Sequence, residues 1–459
     1  MNQSLANDII EAGLAAGASF VEIFEEESRR SALTLKNKAI ETATAGTDYG
    51  IGLRLLFGTQ VLYAYTSDDS RESMLQMVQA LTFGKDKVQA APLAWKPEKK
   101  VCDYNRDAFK DPRILGQKYK LDFIQRADAK ARATSDKVIQ VSASIVDVVS
   151  KISIYNSEGL TLDMDRSRCR TNTIVTATDS SERITTHVAP GALGGYEILD
   201  NYSPEELAYE AADRAIRMLS AGHIAGGQMP VIMGNGFGGV IFHEACGHPL
   251  ETESIRHSAS PFCDKIGEQI AQPCLTAIDD GTLAGVWGSL QVDDEGTPTE
   301  RTTLIENGVL KTYMSDRVGA EEVGVKRSGN ARRECYQFAP ASRMRNTFIA
   351  PGKSSVEEML ASVDYGLYAV KMGGGSVNPA TGEFNFAVEE GYVIRNGKPA
   401  EAVRGATLIG KGHEILPKIS MVGSDLELAA GMCGSVSGSV PVTVGQPTIK
   451  VDQILVGGR

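Results

Sequence analysis

Apolar and polar positions in the first part of the chain recur with two periods, one typical of helices and one of strands. Ile9, Ile10 and Leu14 recur at helical spacing and predict a short helix over about residues 5–16. A second helix is predicted after Ser67, from the apolar period of SMLQMVQALTFG. Between these helices lie stretches of strand composition separated by glycine-containing turns: FVEIFEEESR, RSALTLKN, YGIGLRLLFG and TQVLYAYTS. The first unit is therefore predicted to be helix, strands, helix.

The same order of elements recurs further along the chain. Residues 85–112 are rich in proline and charge and predict a connector across a surface. A polar helix is predicted over about residues 115–134, and Ser203 with Glu206 forms the signature of a capping box that opens a closing helix. The strands predicted between these helices are QVSASIVDVVSKISIYNS, LTLDMDRS and RTNTIVTATD. Because the two units share element order rather than residue identity, their origin by duplication is a hypothesis.

From Met229 onward the chain becomes rich in glycine and in strand patterns, with one apolar helix near residues 236–247. The tripeptides ENG and RNG are strong signals for hairpin turns. Strands are predicted throughout WGSLQVDDEGTPTERTTLIENGVLKTYMSD and in the stretches that follow it. The pattern predicts an α+β protein. Its N-terminal mixed α/β domain would span residues 1–225, and a C-terminal domain of curved, barrel-like antiparallel sheet, carrying the apolar helix, would span residues 226–459.

Composition and charge narrow the range of functions. The chain has 459 residues, 42% of them hydrophobic and 23% charged, as in ordinary folded proteins. Its 47 basic and 58 acidic residues give a net charge of −11, which disfavours nucleic acid as a partner.

Asp8 and Glu11 interrupt the first apolar stretch, and no apolar run approaches the roughly 18 residues that a membrane span needs. We therefore expect a cytoplasmic protein with no membrane partner. The seven cysteines lack CxxC spacing, which argues against a disulfide framework.

The segment FHEACGHPLE carries the candidate chemistry. His243 and His248 are five positions apart, with Glu244 directly after the first. In a regular helix, side chains five positions apart point about 140° away from each other. Two departures from regular geometry would bring both imidazoles to one face: a π-bulge, or a break at Gly247 just before Pro249.

Neutral imidazoles bind zinc and related divalent metals, and a catalytic site needs three protein ligands with one position left open. Glu244 could take a proton from water at such a metal. The alternative is a pair of structural histidines, although the apolar lead-in GVIF implies buried polar groups that need partners. Residues eligible as the third ligand are Glu251, Glu253, Glu268, His413 and Cys433. Glycines beside Cys433 would let its backbone approach a site closely, whereas the alternative for this residue is an inert buried thiol.

Several longer segments resemble the TldD branch of the TldD/PmbA family, strongly after residue 220 and weakly before it. The segments that carry the resemblance are HEACGH, DDEGTPTERTTLIENGVLKTYMSDR, SGNARRECY, MRNTFIAPG, MGGGSVNPATGEFNFAVEEGYVIRNGK and GMCGSVSGSVPVTVGQPTIKVDQILVGG. The resemblance implies a metallopeptidase of HExxxH type that cleaves unfolded or extended peptides. By position, it implies His243, His248 and Cys433 as ligands of one divalent metal, with zinc the expected ion. Glu244 would be the general base.

The resemblance also implies a dimer, formed either with a second copy or with a relative that lacks the HExxxH motif. Two alternatives stay open: a peptide-binding scaffold whose metal is structural, and a catalytic subunit that is active only with its inactive relative. An older association of the family with DNA gyrase finds no support in this acidic chain. MGGGSVNP and GNARRECY are candidate peptide-contacting segments, in which Arg332 or Arg333 would meet a substrate carbonyl or carboxylate. The alternative is that these segments form tight turns and that the arginines are solvated.

Overall fold

A long, mainly antiparallel sheet, in which only β4 pairs in parallel with its neighbour β6 among the described strands, forms the scaffold of the N-terminal half. The computed structural model describes residues 1–84, 93–179, 181–378 and 381–458. The strand order of this sheet is β3-β2-β1-β5-β6-β4, and β7 and β8 pair with further stretches of β6. The elements are α1 (Gln3–Ala15), β1 (Phe20–Lys36), β2 (Ala39–Phe57), β3 (Gln60–Thr66), α2 (Arg71–Leu81), β4 (Lys99–Cys102), α3 (Pro112–Thr134), β5 (Val138–Asn156), β6 (Thr161–Thr178), β7 (Arg183–Val188), β8 (Gly191–Leu193) and α4 (Pro204–Leu219).

The strands of this sheet are longer than the sequence pattern predicts. FVEIFEEESR and RSALTLKN form the single strand β1, and LTLDMDRS and RTNTIVTATD form the single strand β6. Each of them pairs along its length with β5, which holds the backbone extended through the charged residues. The β1–β5 pair also joins the two predicted helix–strands–helix units into one continuous sheet.

Side chains along β1 point alternately to the two faces of this sheet. Ile23 packs in one apolar cluster with α1 and α2, and Leu33 packs in a second cluster with α3 and α4. Residues on a strand that are an even number of positions apart share a face, so the four helices cover one side. The opposite side carries Phe24, which packs against Cys335 and Tyr336 of the C-terminal half. One sheet thus separates a helical layer from the C-terminal region.

The C-terminal half contains a closed barrel and a second sheet. Five strands close the barrel in the order β16-β9-β23-β19-β17, with β17 pairing back to β16. The second sheet has the order β12-β11-β10-β15-β22-β21. The strands are β9 (Gly227–Met233), β10 (Ala277–Asp280), β11 (Arg301–Glu306), β12 (Val309–Leu310), β13 (Ala331–Arg332), β14 (Ala341–Ser342), β15 (Asn346–Ile349), β16 (Tyr365–Asn378), β17 (Glu383–Arg395), β18 (Lys398–Val403), β19 (Thr407–Lys411), β20 (Ile419–Val422), β21 (Glu427–Ser435), β22 (Gly438–Gln446) and β23 (Ile449–Gly457). The helices are α5 (Val240–Phe242), α6 (Thr252–Arg256), α7 (Arg317–Val323), α8 (Val356–Ala361) and α9 (Gly412–Ile415).

These features confirm the predicted α+β fold class with a barrel-like C-terminal sheet. Both predicted hairpin turns are present, since Asn307 and Asn396 have φ of 49° and each is followed by a glycine with positive φ. The prediction of strands throughout residues 287–316 is wrong in part. Only β11 and β12 form there, whereas the preceding stretch makes one isolated bridge, between Val292 and Pro298.

Buried ion pairs join the two halves of the chain. Arg54 on β2 lies 2.7 Å from Glu22 and 2.6 Å from Glu295, and Arg333 lies 2.6 Å from Glu22. The side chains of these residues are at most 1% exposed. Removing one partner from such a set would leave an uncompensated buried charge, so the set ties the N-terminal sheet to the C-terminal half.

Glu26, on the same face, makes stability depend on pH. Its Oε2 accepts a hydrogen bond from the Tyr336 amide, and burial raises the pKa of its carboxyl to about 6. A carboxyl whose folded pKa is raised destabilises the fold as pH increases from its unfolded pKa through its folded pKa. We therefore expect Glu26→Gln to raise the free energy of unfolding by up to about 2 kcal/mol at pH 8 and to change it little at pH 4.

Denaturant titrations at the two pH values measure this difference. The matched control is Glu27→Gln at the exposed neighbouring position, which we expect to change stability by less than about 0.5 kcal/mol at either pH. A gain from Glu26→Gln that is equal at both pH values would contradict the assignment.

Candidate metal centre

The helix that carries His243 and His248 changes from α to π geometry at His243. This motif helix, residues 236–250, passes from 3-10 to α geometry, becomes a π-helix over His243–Gly247, and ends in a 3-10 turn. The amide of His248 donates to the carbonyl of His243, five residues earlier. The two imidazole centroids lie 5.2 Å apart, with the rings nearly perpendicular. The first of the two predicted departures, the π-bulge, is therefore present, and Gly247 keeps helical angles rather than breaking the helix.

Close backbone packing seats the motif helix in the C-terminal core. A Cβ added at Gly239 would lie 2.5 Å from the carbonyl oxygen of Gly445 on β22, and one at Gly247 would lie 2.2 Å from Met344 Sδ. Val240 and Ile241, between these glycines, are buried in the large core of the barrel region. The glycines let the helix approach β22, while the apolar residues fix its rotation and so the direction of the histidines.

The third predicted residue reaches the histidines from β21. Cys433 Sγ lies 3.1 Å from His248 Nε2, and the donor atoms of Cys433, His243 and His248 all lie within 4.8 Å of one another. All three residues are buried. Within the described ranges, this is the only set of three or more histidine, cysteine or acidic side chains close enough to share an ion.

Glu251, considered as a ligand from the sequence, lies behind His248 instead. Its Oε2 is 3.0 Å from His248 Nδ1, and its Oε1 accepts a hydrogen bond from the Met344 amide at 3.1 Å. A carboxylate on Nδ1 favours the tautomer in which Nε2, the nitrogen facing Cys433, keeps its lone pair. The H-x-x-E spacing from His248 is the sequence signal for this role, although Glu251 was expected only as a possible third ligand.

The other candidates for the third ligand make contacts elsewhere. Glu253 pairs with Arg256, Glu268 pairs with Lys265, and His413 lies 3.9 Å from Glu414. None of them belongs to the set of donors around His243.

Burial and neighbouring charge control protonation at the site. Burial, with the charges of His248 and two arginines, holds the pKa of His243 well below its usual value, so its imidazole is neutral and has a lone pair to donate. Its Nδ1 is buried and has no hydrogen-bond partner among the described residues. Burial also acts to lower the pKa of His248, but Glu251 and Cys433 outweigh it and raise that pKa well above the usual value. Two imidazole nitrogens and one sulfur are a donor set that suits zinc.

Glu244 lies beside these donors and opens onto a cleft. Its Oε2 is 3.6 Å from His248 Nε2, and burial raises the pKa of its carboxyl. The cleft has a volume of about 370 Å³. One wall comes from β6 and the β7–β8 turn of the N-terminal sheet, and the others come from β16, β21, β22 and the motif helix.

The two arginines proposed to meet a peptide do not reach this cleft, so that hypothesis is wrong for both. Arg332 is buried and donates to the Met344 carbonyl, and Arg333 is buried and pairs with Glu22. Neither lines the cleft. The partner of Arg333, Glu22, lies 311 positions away on β1, which local sequence does not reveal.

Three family models match the chain in succession. They are the PmbA/TldA metallopeptidase domain 1 over residues 21–82, the central domain over residues 110–219 and the C-terminal domain over residues 226–458. The chain belongs to the TldD/PmbA family. A "Metalloprotease TldD homolog" from Haemophilus influenzae is 36% identical over 449 residues, covering 96% of this chain and 93% of the relative.

A further relative is similar in sequence to this TldD/PmbA chain, and a solved structure is similar to it in fold. A "Zinc metalloprotease TldD homolog" from Saccharolobus solfataricus is 26% identical over 96% of this chain and 97% of its own length. A crystal structure from Thermotoga maritima, described as a modulator of a DNA gyrase, is similar in fold. It superposes with a TM-score of 0.80 at 23% identity, covering 99% of this chain and all of that chain. In the described part of this TldD/PmbA protein, no helix is long and apolar enough to cross a membrane.

The close approach at Gly239 gives a prediction about stability. Its φ of −59° suits any residue, so the contact with the Gly445 carbonyl is the main cost of a larger side chain. We expect Gly239→Ala to lower the free energy of unfolding by about 1–3 kcal/mol. The control is Gly46→Ala, where an added Cβ meets nothing within 4 Å. Denaturant unfolding measures both variants, and equal stabilities would contradict the packing argument.

Proposed function

We propose that this chain is a peptidase that hydrolyses unfolded or extended peptides, using one divalent metal held by His243, His248 and Cys433. The observation that carries the proposal is the convergence of these three buried donors beside Glu244, which lines the cleft together with His243. The metalloprotease names of its relatives support the same reaction class. Three protein donors rather than four favour a catalytic site over a structural one, because a position is left for a reactant.

Each residue of the centre has a distinct part in the proposed reaction. His243, His248 and Cys433 would hold the ion, and Glu251 would orient His248. A divalent metal bound there supplies a Lewis acid that polarises the peptide carbonyl and lowers the pKa of water. Glu244 would accept the proton released as water adds to the carbonyl, hold it on a carboxylate oxygen, and deliver it to the departing amine nitrogen.

The substrate would lie extended along β21. Among the described strands, β21 pairs only with β22, so its other edge faces the cleft near Leu428 and Ala429. An extended peptide can add to such an edge through main-chain hydrogen bonds, which give affinity with little dependence on side chains. Further along β21, Trp287 and Arg343 already donate to main-chain carbonyls and so limit where a peptide can pair.

The proposed partner is a second subunit, either another copy of this chain or a relative that lacks the HExxxH motif. A chain that is active only with such a relative would bind metal and yet show no hydrolysis alone. Activity assays therefore need the oligomeric state measured in the same sample, by light scattering, with and without the relative.

Glu244→Gln tests the proton-transfer step. The variant keeps a side chain of nearly the same shape, so we expect it to retain metal while hydrolysis of an unfolded peptide library falls by about 100- to 10 000-fold. Elemental analysis and mass spectrometry of the digest measure the two properties. Glu414→Gln, at an exposed position, is the control and should retain activity. Undiminished hydrolysis by Glu244→Gln would remove this residue from the mechanism.

The wild type tests the scaffold alternative. That alternative would be favoured if a sample of known oligomeric state binds metal but shows no chelator-sensitive cleavage.

Glu251→Gln tests the support of His248. Glutamine can still accept the Met344 amide, but it lacks the negative charge that faces His248 Nδ1. Loss of such a carboxylate behind a ligating histidine typically lowers metal affinity about 10- to 100-fold. Competition with a chromophoric zinc chelator measures the change. Unaltered zinc affinity would show that the contact does not support the ligand.

A further inference from the structure

The wall of the cleft opposite the motif helix holds an arginine without an acidic partner. Arg170, on β6, lines the cleft together with His243 and Glu244. Its Nε donates to the Ala189 carbonyl at 3.3 Å and its Nη2 to the Ala430 carbonyl at 3.1 Å. Within the described ranges its guanidinium forms no ion pair with a carboxylate, burial alone lowers its pKa, and its two hydrogen bonds leave Nη1 without a partner. Because neutral carbonyls leave its charge uncompensated, an anion in the cleft would meet a ready partner.

The position of this arginine is fixed by its surroundings. Its guanidinium carbon lies 5.8 Å from the centre of the Trp287 ring. Gly191 leaves the room for this pair, since a Cβ there would lie 3.0 Å from both Arg170 Cγ and Trp287 Cε3. Trp287 in turn donates to the Gly431 carbonyl on β21. The charged group is thus held against the strand that carries Cys433, rather than free to swing into solvent.

Strand geometry gives the spacing between this charge and the candidate metal centre. Ala430, which accepts from Arg170, precedes Cys433 by three positions on β21. A strand rises about 3.3 Å per residue, so the two Cα atoms are about 10 Å apart. An extended peptide that runs beside β21 covers that distance with about three residues. Because Arg170, Trp287 and Arg343 occupy carbonyls of this stretch, its main-chain pairing with β21 would lie before Ala430. A carboxylate at Arg170 would therefore lie two or three residues from a carbonyl at the metal centre.

We propose that Arg170 binds a carboxylate of the peptide substrate, two or three residues from the bond that is cleaved. This inference rests on the proposed peptidase function. A terminal carboxylate and the side chain of Asp or Glu share the chemistry that a guanidinium recognises. If the peptide adds antiparallel to β21, Arg170 lies on its C-terminal side. A terminal carboxylate bound there would make the chain a peptidase that releases di- or tripeptides from a free C-terminus.

Matched peptides separate the two sources of the carboxylate. One pair differs only in a free or an amidated C-terminus, and a second, amidated series carries Asp or Asn at successive positions. For each peptide, kcat/KM is measured with the zinc-loaded protein, and the cleavage site is determined by mass spectrometry. Binding to zinc-loaded Glu244→Gln is measured in parallel by fluorescence anisotropy, so that recognition is scored independently of turnover.

We expect the carboxylate member of one pair to be favoured by about 10- to 100-fold, the range typical of a hydrogen bond to a charged group. A preference for the free C-terminus identifies the terminal carboxylate, and a preference for Asp over Asn at one position identifies a side chain. Arg170→Gln should reduce the preferred ratio to about one, whereas Arg170→Lys should keep part of it. Arg126→Gln, at an exposed arginine on α3, is the control and should keep the whole preference.

Several outcomes would overturn the proposal. Equal kcat/KM and equal affinity within every pair would do so, as would a preference that survives in Arg170→Gln. A discrimination in binding without any cleavage, both by this chain alone and in the presence of the relative that lacks the HExxxH motif, would leave the role of Arg170 standing while contradicting the peptidase function. Absence of binding by every peptide would count against both.

Discussion

The hydrogen bond from the His248 amide to the His243 carbonyl spans five residues, and the orientation of the candidate metal centre depends on it. A regular α-helix would direct the two imidazoles about 140° apart. The single π turn brings them to the same side with one extra residue between them. Such turns are rare, occur mostly as single bulges inside α-helices and are frequent at functional sites. Here Met344 against Gly247 and β22 against Gly239 support the turn.

A second constraint lies between the two halves of the chain. The cleft is formed only when β6 faces β21, and this arrangement depends on how the N-terminal sheet meets the C-terminal half. Glu22, Arg54, Glu295 and Arg333 are buried together at that junction. Ionic groups inside a protein require specific partners in specific geometry, whereas apolar contacts tolerate sliding. The ion pairs thus restrict the relative position of the two cleft walls.

Much of this arrangement was predictable from local sequence. The periodicity of the helices, the Asn-Gly turns and the barrel-like class follow from patterns a few residues long, and the positions of His243, His248 and Cys433 followed from a resemblance to a known family. The part that was missed depends on contacts between distant segments. Arg333 is buried because Glu22 on β1 neutralises it, and Arg170 reaches the cleft from a strand with no recognisable motif. Strands β1 and β6 run on through charged stretches because pairing with β5 overrides local preference.

The residues of the candidate centre are far apart in sequence, and this separation determines when the site can form during synthesis and folding. Cys433 and His248 are 185 positions apart, and they meet only after β21 has paired with β22 at the end of the C-terminal sheet. During synthesis the histidines emerge long before the cysteine does. The proposed set of donors therefore cannot assemble on a nascent or partly folded chain. A peptidase with such a site would be inactive until its C-terminal half has folded. Its proteolytic capacity would be coupled to the integrity of the whole C-terminal fold, so that a damaged copy would lose activity as it unfolds.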